Sequence, residues 1–208
     1  MEAVIRVIRN IVLSWIVKIF TTNDAVRYAS LLLVANSIRE REVPGCVAEL
    51  GVYKGDFAKR INICFPDRTL FLFDTFEGFD QRDVNAERAQ NFSKAVVASD
   101  FTNTSVEMVL DKMKYRDTCI VRKGYFPETA KGLEEQFAFV SIDADLYEPI
   151  YQGLVYFYPR LEKGGYIFVH DCNGDVYGGK AAVERYAGEF NIPYFPLCDV
   201  CATIVLSK

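Results

Sequence analysis

The pattern that decides the fold is Cys46-Val47-Ala48-Glu49-Leu50-Gly51-Val52-Tyr53-Lys54-Gly55. A short apolar run ends in an acid and is followed by two glycines spaced four apart, which indicates a β-strand that turns tightly into a helix. The glycines let the backbone bend and approach a ligand closely. The spacing departs from the G-x-G-x-x-G fingerprint of dinucleotide-binding proteins, which argues against a nicotinamide-dependent oxidoreductase.

Strand-like and helical stretches alternate along the chain after this turn. The strands are predicted at 46–50, 69–73, 119–122, 137–142, 166–169, 194–197 and 203–206, and the helices at 54–64, 103–115, 147–161 and 180–190. Such alternation is typical of parallel strands joined by helical crossovers that cover both faces of the sheet. The last two strands are expected to form a closing pair. We therefore expect an α/β fold with a Rossmann-like, doubly wound, mostly parallel sheet of seven strands.

A helical extension over residues 1–42 is predicted to precede a single domain over residues 43–208. Residues 4–20 form an amphipathic pattern, and a second helix is expected over 25–42 with its cap at 21–23. We expect the first helix to pack on the domain or within a homodimer or higher homo-oligomer, with membrane-surface contact through residues 1–20 as the alternative. Its charges leave too short an apolar stretch to cross a membrane.

The net charge of −4 and the pI near 5.2 exclude the basic surface that a nucleic-acid partner needs. The six cysteines lie mostly in apolar runs and suggest reduced thiols of a cytoplasmic protein, peripheral at the membrane if residues 1–20 bind lipid. Cys198 and Cys201 form a CxxC that, with His170 and Cys172, leaves a zinc site as a minor alternative.

Two acids are predicted to hold a cofactor at the first two strand ends. Glu49 lies two residues before Gly51 and suits the cationic amino group of S-adenosylmethionine better than a pyrophosphate. Asp74 follows about 20 residues after that glycine, where α/β nucleotide binders keep the carboxylate for the ribose hydroxyls. Thr75 and Phe76 begin a loop that covers an adenine in this interpretation, although a tight turn and core aromatics would give the same pattern.

Further acids follow two later strands, with Asp143 and Asp145 after one and His170-Asp171 after the next. Buried carboxylates at neighbouring strand ends repel each other unless a positive charge lies between them. Mg²⁺ or another divalent metal fits such oxygen ligands, and we predict Asp143, Asp171 and His170 as its ligands. Helix-capping acids without a metal are the alternative, and His170 could instead act as a base or only donate a hydrogen bond.

Several further motifs occur in order, at 43–57, 71–79 (with DTFEGF), 123–129, 141–149 (with DADLYEP), 156–160 and 164–171. Together they resemble the macrocin O-methyltransferase family, whose members methylate deoxysugars of antibiotics. The resemblance implies a class I methyltransferase fold, S-adenosylmethionine as donor and dependence on Mg²⁺. By position it implies that Glu49, Gly51, Gly55 and Asp74 hold the cofactor. His170 departs from the family, which has an acid in that place.

The expected activity is methyl transfer to a hydroxyl of a sugar or glycosylated small molecule. In this hypothesis a metal lowers the pKa of the hydroxyl, and Asp143, or as second choice His170, takes the proton. An S-adenosylmethionine-binding module without transfer is the alternative function. The expected cofactor contacts are Glu49, Gly51, Tyr53, Gly55, Asp74, Thr75, Phe76, Ser141 and Asp143.

Overall fold

The computed structural model describes residues 24–173 and 176–208. The amphipathic pattern at 4–20 and the predicted cap at 21–23 lie outside the described residues. Within the described ranges, no helix is long and apolar enough to cross a membrane.

Helices and strands alternate along the described chain, as the sequence predicts. They are α1 (Ala25–Glu40), β1 (Cys46–Leu50), α2 (Asp56–Cys64), β2 (Leu70–Asp74), α3 (Gln81–Ala89), α4 (Val106–Leu110), β3 (Cys119–Lys123), β4 (Phe137–Ile142), α5 (Tyr147–Phe157), β5 (Leu161–Val169), α6 (Gly179–Phe190), β6 (Tyr194–Pro196) and β7 (Ile204–Ser207). Two short 3₁₀ turns, Arg116–Thr118 and Glu128–Ala130, flank β3.

The strands form one seven-stranded sheet in the order β3-β2-β1-β4-β5-β7-β6. The first five strands are parallel, while β7 runs antiparallel to both β5 and β6. The predicted mostly parallel, doubly wound sheet is confirmed. The chain runs outward from β1 in one direction and from β4 in the other, so the two strands flank the topological switch point where ligands bind in such sheets.

Alternate residues of the strands supply the two hydrophobic layers of the core. In β2, Phe71 and Phe73 pack in the layer beneath α5 and α6, whereas Leu70 and Leu72 pack in the layer beneath α1 and α2. This alternation follows from the two-residue period of a strand, and it requires apolar side chains on both faces. The helices on both faces therefore bury the sheet and leave its ends for function.

The predicted helix over 103–115 is wrong in length, since α4 covers Val106–Leu110 only. The side chain of Asn62 accepts a hydrogen bond from the Tyr115 amide at 2.8 Å and donates to the Tyr115 carbonyl at 3.1 Å. These bonds fix the backbone at Tyr115 in a non-helical conformation. Sequence patterns cannot show this, because the two residues are far apart in the chain.

Other elements also differ from the prediction, and the helix predicted over 147–161 ends at Phe157. Helix α3 was not predicted, although Asp80 accepts a hydrogen bond from the Arg82 amide and is a typical N-cap residue. Strand β5 begins at Leu161 rather than 166, because Leu161 pairs with Phe137 across an irregularity in the ladder. The glycines at 164 and 165 hide this first part of the strand from a pattern search.

Candidate active site

The turn after β1 lies directly against the end of β4. Gly51 has φ +83°, and a Cβ at this position would overlap the backbone oxygen of Asp143. The Asp143 amide donates to the Leu50 carbonyl at 2.8 Å, which joins the two strand ends. Only glycine fits here, because both the conformation and the close approach exclude a side chain.

Asp74, at the end of β2, ties this turn to the next loop. Its Oδ2 accepts hydrogen bonds from the amides of Val52 and Tyr53 at 2.7 and 2.8 Å, and its Oδ1 accepts from the Phe76 amide at 2.6 Å. The carboxylate therefore shapes both loops. Its predicted role toward ribose hydroxyls stays a prediction, and one acceptor site remains on Oδ1 for it.

A cavity of about 460 Å³ opens at the carboxyl ends of β1, β2, β4 and β5. Its walls include most of the predicted site residues, namely Glu49, Gly51, Tyr53, Asp74, Thr75, Asp143, His170 and Asp171. Three others lie behind the wall: Phe76 is buried, Gly55 packs on Val109, and Ser141 accepts a hydrogen bond from Arg27. The structure thus brings the sequence-predicted residues to one place.

One wall of the cavity, the charged side, consists of Asp24, Arg27, Asp143, His170 and Asp171. Arg27 Nη1 donates to Asp143 Oδ2 at 2.9 Å, and His170 Nδ1 lies 3.0 Å from Asp143 Oδ1. The same imidazole nitrogen lies 3.1 Å from Asp171 Oδ2, and His170 Nε2 lies 3.7 Å from Asp24 Oδ1. Two basic side chains therefore sit among three carboxylates.

These contacts shift the pKa values on the charged side. Burial acts to raise the pKa of Asp143, but the charges of Arg27 and His170 outweigh it and hold that pKa well below its usual range. Burial acts to lower the pKa of His170, yet Asp143, Asp171 and Asp24 raise it to about 12. Both residues are thus held in their charged forms.

Glu49 lies beneath this cluster and is 1% exposed. Its Oε2 has no hydrogen-bond partner among the described residues. Burial, followed by the charge of Asp143, raises the pKa of Glu49 well above its ordinary value. A buried carboxylate oxygen without a donor is costly, so this position fits a cationic ligand group such as an amino group.

Asp145 also lines the cavity and has a left-handed backbone conformation, with φ 57°. Burial raises its pKa well above the ordinary value, and the charges of Asp143 and Asp171 add to the effect. Its side chain also hydrogen-bonds Asp171. In the described chain, no basic side chain forms an ion pair with Asp145, which distinguishes it from Asp143 and Asp171.

A second part of the cavity lining, the aromatic side, consists of Tyr53, Phe79, Phe101, Tyr125 and Asp83. The Phe101 ring contacts Tyr53 and Phe79 edge-on, with centroids 5.0 and 5.1 Å apart. The Tyr125 hydroxyl donates to Asp83 Oδ1 at 3.2 Å. Burial raises the pKa of Asp83 to about 7, because the Tyr125 bond opposes it only in part.

The family model described as macrocin-O-methyltransferase (TylF) matches residues 9–206. The chain belongs to the macrocin-O-methyltransferase family. This confirms the resemblance drawn from the motifs. Membership of the family agrees with the class I methyltransferase sheet described above.

Two curated relatives of this family member are O-methyltransferases by name. It is 27% identical to 8-demethyl-8-(2,3-dimethoxy-alpha-L-rhamnosyl)-tetracenomycin-C 4'-O-methyltransferase of Streptomyces olivaceus. That match extends over 165 residues and covers 72% of this chain and 60% of that protein. Over 203 residues it is 23% identical to demethyldecarbamoylnovobiocin O-methyltransferase of Streptomyces niveus, covering 89% and 74%. The match therefore spans less than two thirds of the first relative's length.

Among solved structures, the fold is similar to that of CalS11, a calicheamicin methyltransferase. The TM-score is 0.70 at 21% identity, and the alignment covers 91% of this chain and 81% of that one. At this identity the likeness supports the fold alone.

Arg27 is the main site residue of this family member that the sequence analysis missed. It shares one face of α1 with Leu31, Ala35 and Ile38, and all four are buried. A charge on an otherwise apolar buried face needs a partner, which is the signal that could have revealed it. Asp145 was seen in the sequence but not assigned a role, and nothing local to Asp83 or Phe101 marks them as site residues.

The minor zinc alternative gains little from the positions of the cysteines. Cys201 lies with His170 and Asp171 in a group that could hold a metal, whereas Cys198 is exposed and belongs to no such group within the described ranges. A four-ligand site built from the CxxC, His170 and Cys172 is therefore not formed by these residues as they stand.

Proposed function

We propose that this chain is an S-adenosylmethionine-dependent O-methyltransferase that acts on a hydroxyl of a sugar or glycosylated small molecule. One observation carries the proposal: the glycine turn and the unpaired carboxylate of Glu49 open onto the same cavity as Asp145 and the aromatic side. Family membership and the names of the two curated relatives support the choice of reaction and acceptor.

The donor would lie along the turn after β1. When bound, S-adenosylmethionine supplies a methyl group attached to a positively charged sulfur. We propose that Glu49 binds the amino group of the donor. Gly51 has no side chain and would let the donor approach the backbone of the turn. Asp74 keeps the turn and the following loop in place and is our choice for the ribose hydroxyls. Tyr53 and Thr75 line the same cavity and complete this part of the proposal.

We propose Asp145 as the base, in place of the sequence-based choices Asp143 and His170. Both oxygens of Asp143 accept from Arg27 and His170, so they are poorly placed to take a proton. His170 lies among carboxylates that favour its charged form, which has no lone pair to offer. We propose that Asp145 acts in its ionised form, in which its raised pKa makes it a stronger base than Asp143. It would then take the proton of the acceptor hydroxyl as that oxygen bonds to the methyl carbon and the carbon–sulfur bond breaks.

The magnesium requirement expected from the sequence stays a prediction, and the contacts of its predicted ligands do not favour it. Mg²⁺ demands near-octahedral oxygen ligands. Here both oxygens of Asp143 are already hydrogen-bonded, and His170 Nδ1 lies between Asp143 and Asp171. The residues as placed do not fit the ion, and no step of the proposed reaction passes through it.

The aromatic side is our choice for the acceptor. Ligand pockets combine apolar walls, which give contact area, with a few polar groups that fix orientation. Phe79 and Phe101 offer ring surfaces for the apolar face of a sugar, and Asp83 with Tyr125 offers the polar groups. An acceptor lying there would share the cavity with Asp145.

The test is transfer of a trideuteriomethyl group from labelled donor to a panel of deoxysugar glycosides and their aglycones, detected by mass spectrometry. We expect labelled glycosides but unlabelled sugar-free aglycones. Asp145→Asn should abolish transfer while calorimetry still shows binding of S-adenosylhomocysteine. Donor binding without transfer to any glycoside would instead favour the binding-module alternative, and binding of NADH would contradict the proposed donor.

Three further properties expected from the sequence stay proposals: oligomer formation, a cytoplasmic location and membrane-surface contact of residues 1–20. On α1, Leu32 and Leu33 are 56% and 70% exposed in the described chain, which is consistent with a partner surface at this helix. Light scattering of the full chain tests self-association. Liposome flotation with and without residues 1–20 tests membrane contact, and flotation only with the segment present would establish it.

A further inference from the structure

Arg27 is fixed in the site by three residues from two parts of the chain, the end of β4 and helix α2. It is 1% exposed, its Nη1 donates to Asp143 at 2.9 Å, and its Nη2 donates to Ser141 Oγ at 3.0 Å. Its guanidinium carbon also lies 3.7 Å from the centre of the Phe57 ring. The guanidinium is charged at every pH a protein experiences, so this wall always carries a positive charge.

His170 completes the arrangement from the other side of Asp143. Its Nδ1 lies 3.0 Å from Asp143 Oδ1 and 3.1 Å from Asp171 Oδ2, and the residue is 9% exposed. The imidazole therefore occupies the space between the two acids that the sequence assigns to a metal. Arg27 holds one oxygen of Asp143 and His170 holds the other.

The reason for expecting an ion was the repulsion between acids at neighbouring strand ends. In the described structure that repulsion is already relieved by side chains of the protein itself. An ion that bound Asp143 would compete with Arg27 and His170 for its two oxygens and would lie close to a buried guanidinium. In a site of low dielectric, repulsion between like charges is much stronger than in water.

We propose that Arg27 and His170 replace the divalent ion in this chain, and that its methyl transfer needs no metal. The claim that methyl transfer needs no metal rests on the proposed function, whereas the claim that Arg27 and His170 replace the ion does not. Arg27 offsets the charge of Asp143, and His170 holds Asp143 and Asp171 together beside Asp145. The position of His170 between Asp143 and Asp171 and the burial of Arg27 then have one common explanation.

The direct test is a titration of the full chain, saturated with S-adenosylhomocysteine, with Mn²⁺ followed by electron paramagnetic resonance. We expect no saturable binding beyond that of Asp143→Asn, which serves as the background control. Binding of one Mn²⁺ per chain that is lost in Asp143→Asn would overturn the proposal. The wild-type measurement stands even if a variant does not fold.

A gain-of-binding variant sharpens this test. Arg27→Gln combined with His170→Asp removes both basic side chains and adds an oxygen ligand. If the double variant melts cooperatively, we expect it to bind one Mn²⁺ per chain through Asp143. A folded double variant that binds no more Mn²⁺ than the wild type would show that the basic side chains are not what excludes the ion, and would contradict the proposal.

Turnover separates this inference from the proposed function. With a glycoside that is methylated, we expect equal rates in EDTA and in excess Mg²⁺, and a rate that depends on added metal would overturn metal independence. If no acceptor is methylated under either condition, the proposed function fails. The Mn²⁺ titration needs no acceptor, so it still decides whether Arg27 and His170 exclude an ion.

Discussion

The charged side and the aromatic side of the cavity each contain a buried aspartate, and the two behave in opposite ways. Asp143 is paired with Arg27 and His170, whose charges outweigh burial and lower its pKa. Burial, supported by the charges of Asp80 and Glu148, raises the pKa of Asp83 to about 7, because the Tyr125 hydroxyl and the charge of Arg82 oppose it only in part. The comparison shows that neighbours, rather than residue type or burial alone, decide which form of an acid the cavity presents.

Asp143→Ala should remove the ion pair with Arg27 on the charged side and have the largest effect on stability. It leaves Arg27 buried without its partner, which typically costs about 3–5 kcal/mol in the free energy of unfolding. Urea denaturation measures this loss. The matched control is Asp56→Ala, whose partner Lys112 lies at the surface, and there we expect a loss below about 1 kcal/mol. Equal losses in the two variants would refute the importance of the buried pair.

Gly51→Ala should disturb the contact between the turn after β1 and the end of β4. The new Cβ overlaps the Asp143 carbonyl, and we expect about 3 kcal/mol of lost stability together with weaker binding of S-adenosylhomocysteine. Calorimetry measures the affinity. Gly132→Ala is the control, because Gly132 also has a positive φ of +76° but no neighbour within 4 Å of the added Cβ.

The control should lose only about 1 kcal/mol, the cost of the backbone conformation by itself. It should bind S-adenosylhomocysteine like the wild type. Similar affinities in the two glycine variants would contradict the close contact between the turn and the end of β4.

Asp83 should make stability depend on pH in a predictable direction. Its pKa is raised in the folded state, so its stabilising contribution is complete below about pH 4 and is lost as the pH rises through about 7. Lowering the pH from 8 to 5 should raise the free energy of unfolding by about 2 kcal/mol more in the wild type than in Asp83→Asn. Urea denaturation at both pH values measures the difference.

Tyr125→Phe removes the hydrogen bond that favours ionised Asp83, so it should shift this pH dependence to higher pH. An unchanged profile in Asp83→Asn would show that another group is responsible.

Phe101→Ala should weaken acceptor binding on the aromatic side, and we expect its effect to be the smallest among these variants. Phe101 is 39% exposed and contacts Tyr53 and Phe79, and such ring contacts are worth about 1 kcal/mol. We expect the KM for a glycoside acceptor to rise about fivefold, with donor affinity unchanged. Phe195→Ala, on edge strand β6, is the control and should leave both values unchanged. A rise in KM for both variants would contradict the placement of the acceptor on the aromatic side.

Local pattern was enough to predict most of the fold. The alternation of apolar runs and helical stretches predicts β1, β2, β3 and β4 within a residue or two at most boundaries, because the two-residue period and the turn glycines are local signals. The boundaries that differ depend on distant partners. Asn62 fixes the non-helical backbone at Tyr115, beyond the end of α4, and the pairing of Leu161 with Phe137 extends β5.

The candidate site divides in the same way. Glu49, Asp74, Asp143 and His170 could be predicted because each lies at or just after the carboxyl end of a strand, and the ends of parallel strands must lie together. Arg27 could not be placed by this rule, since it comes from a helix that precedes the first strand of the sheet.

The sequence by itself determined the sheet, the glycine turn and the row of strand-end acids, since each depends on residues close together in the chain. Only the tertiary structure decided how those acids are charged. It brings Arg27 from α1 against Asp143, more than a hundred residues away in the chain, and it leaves Asp83 without a basic partner. The physical reason is that a pKa responds to charges within a few ångströms in space, whatever their separation in the sequence.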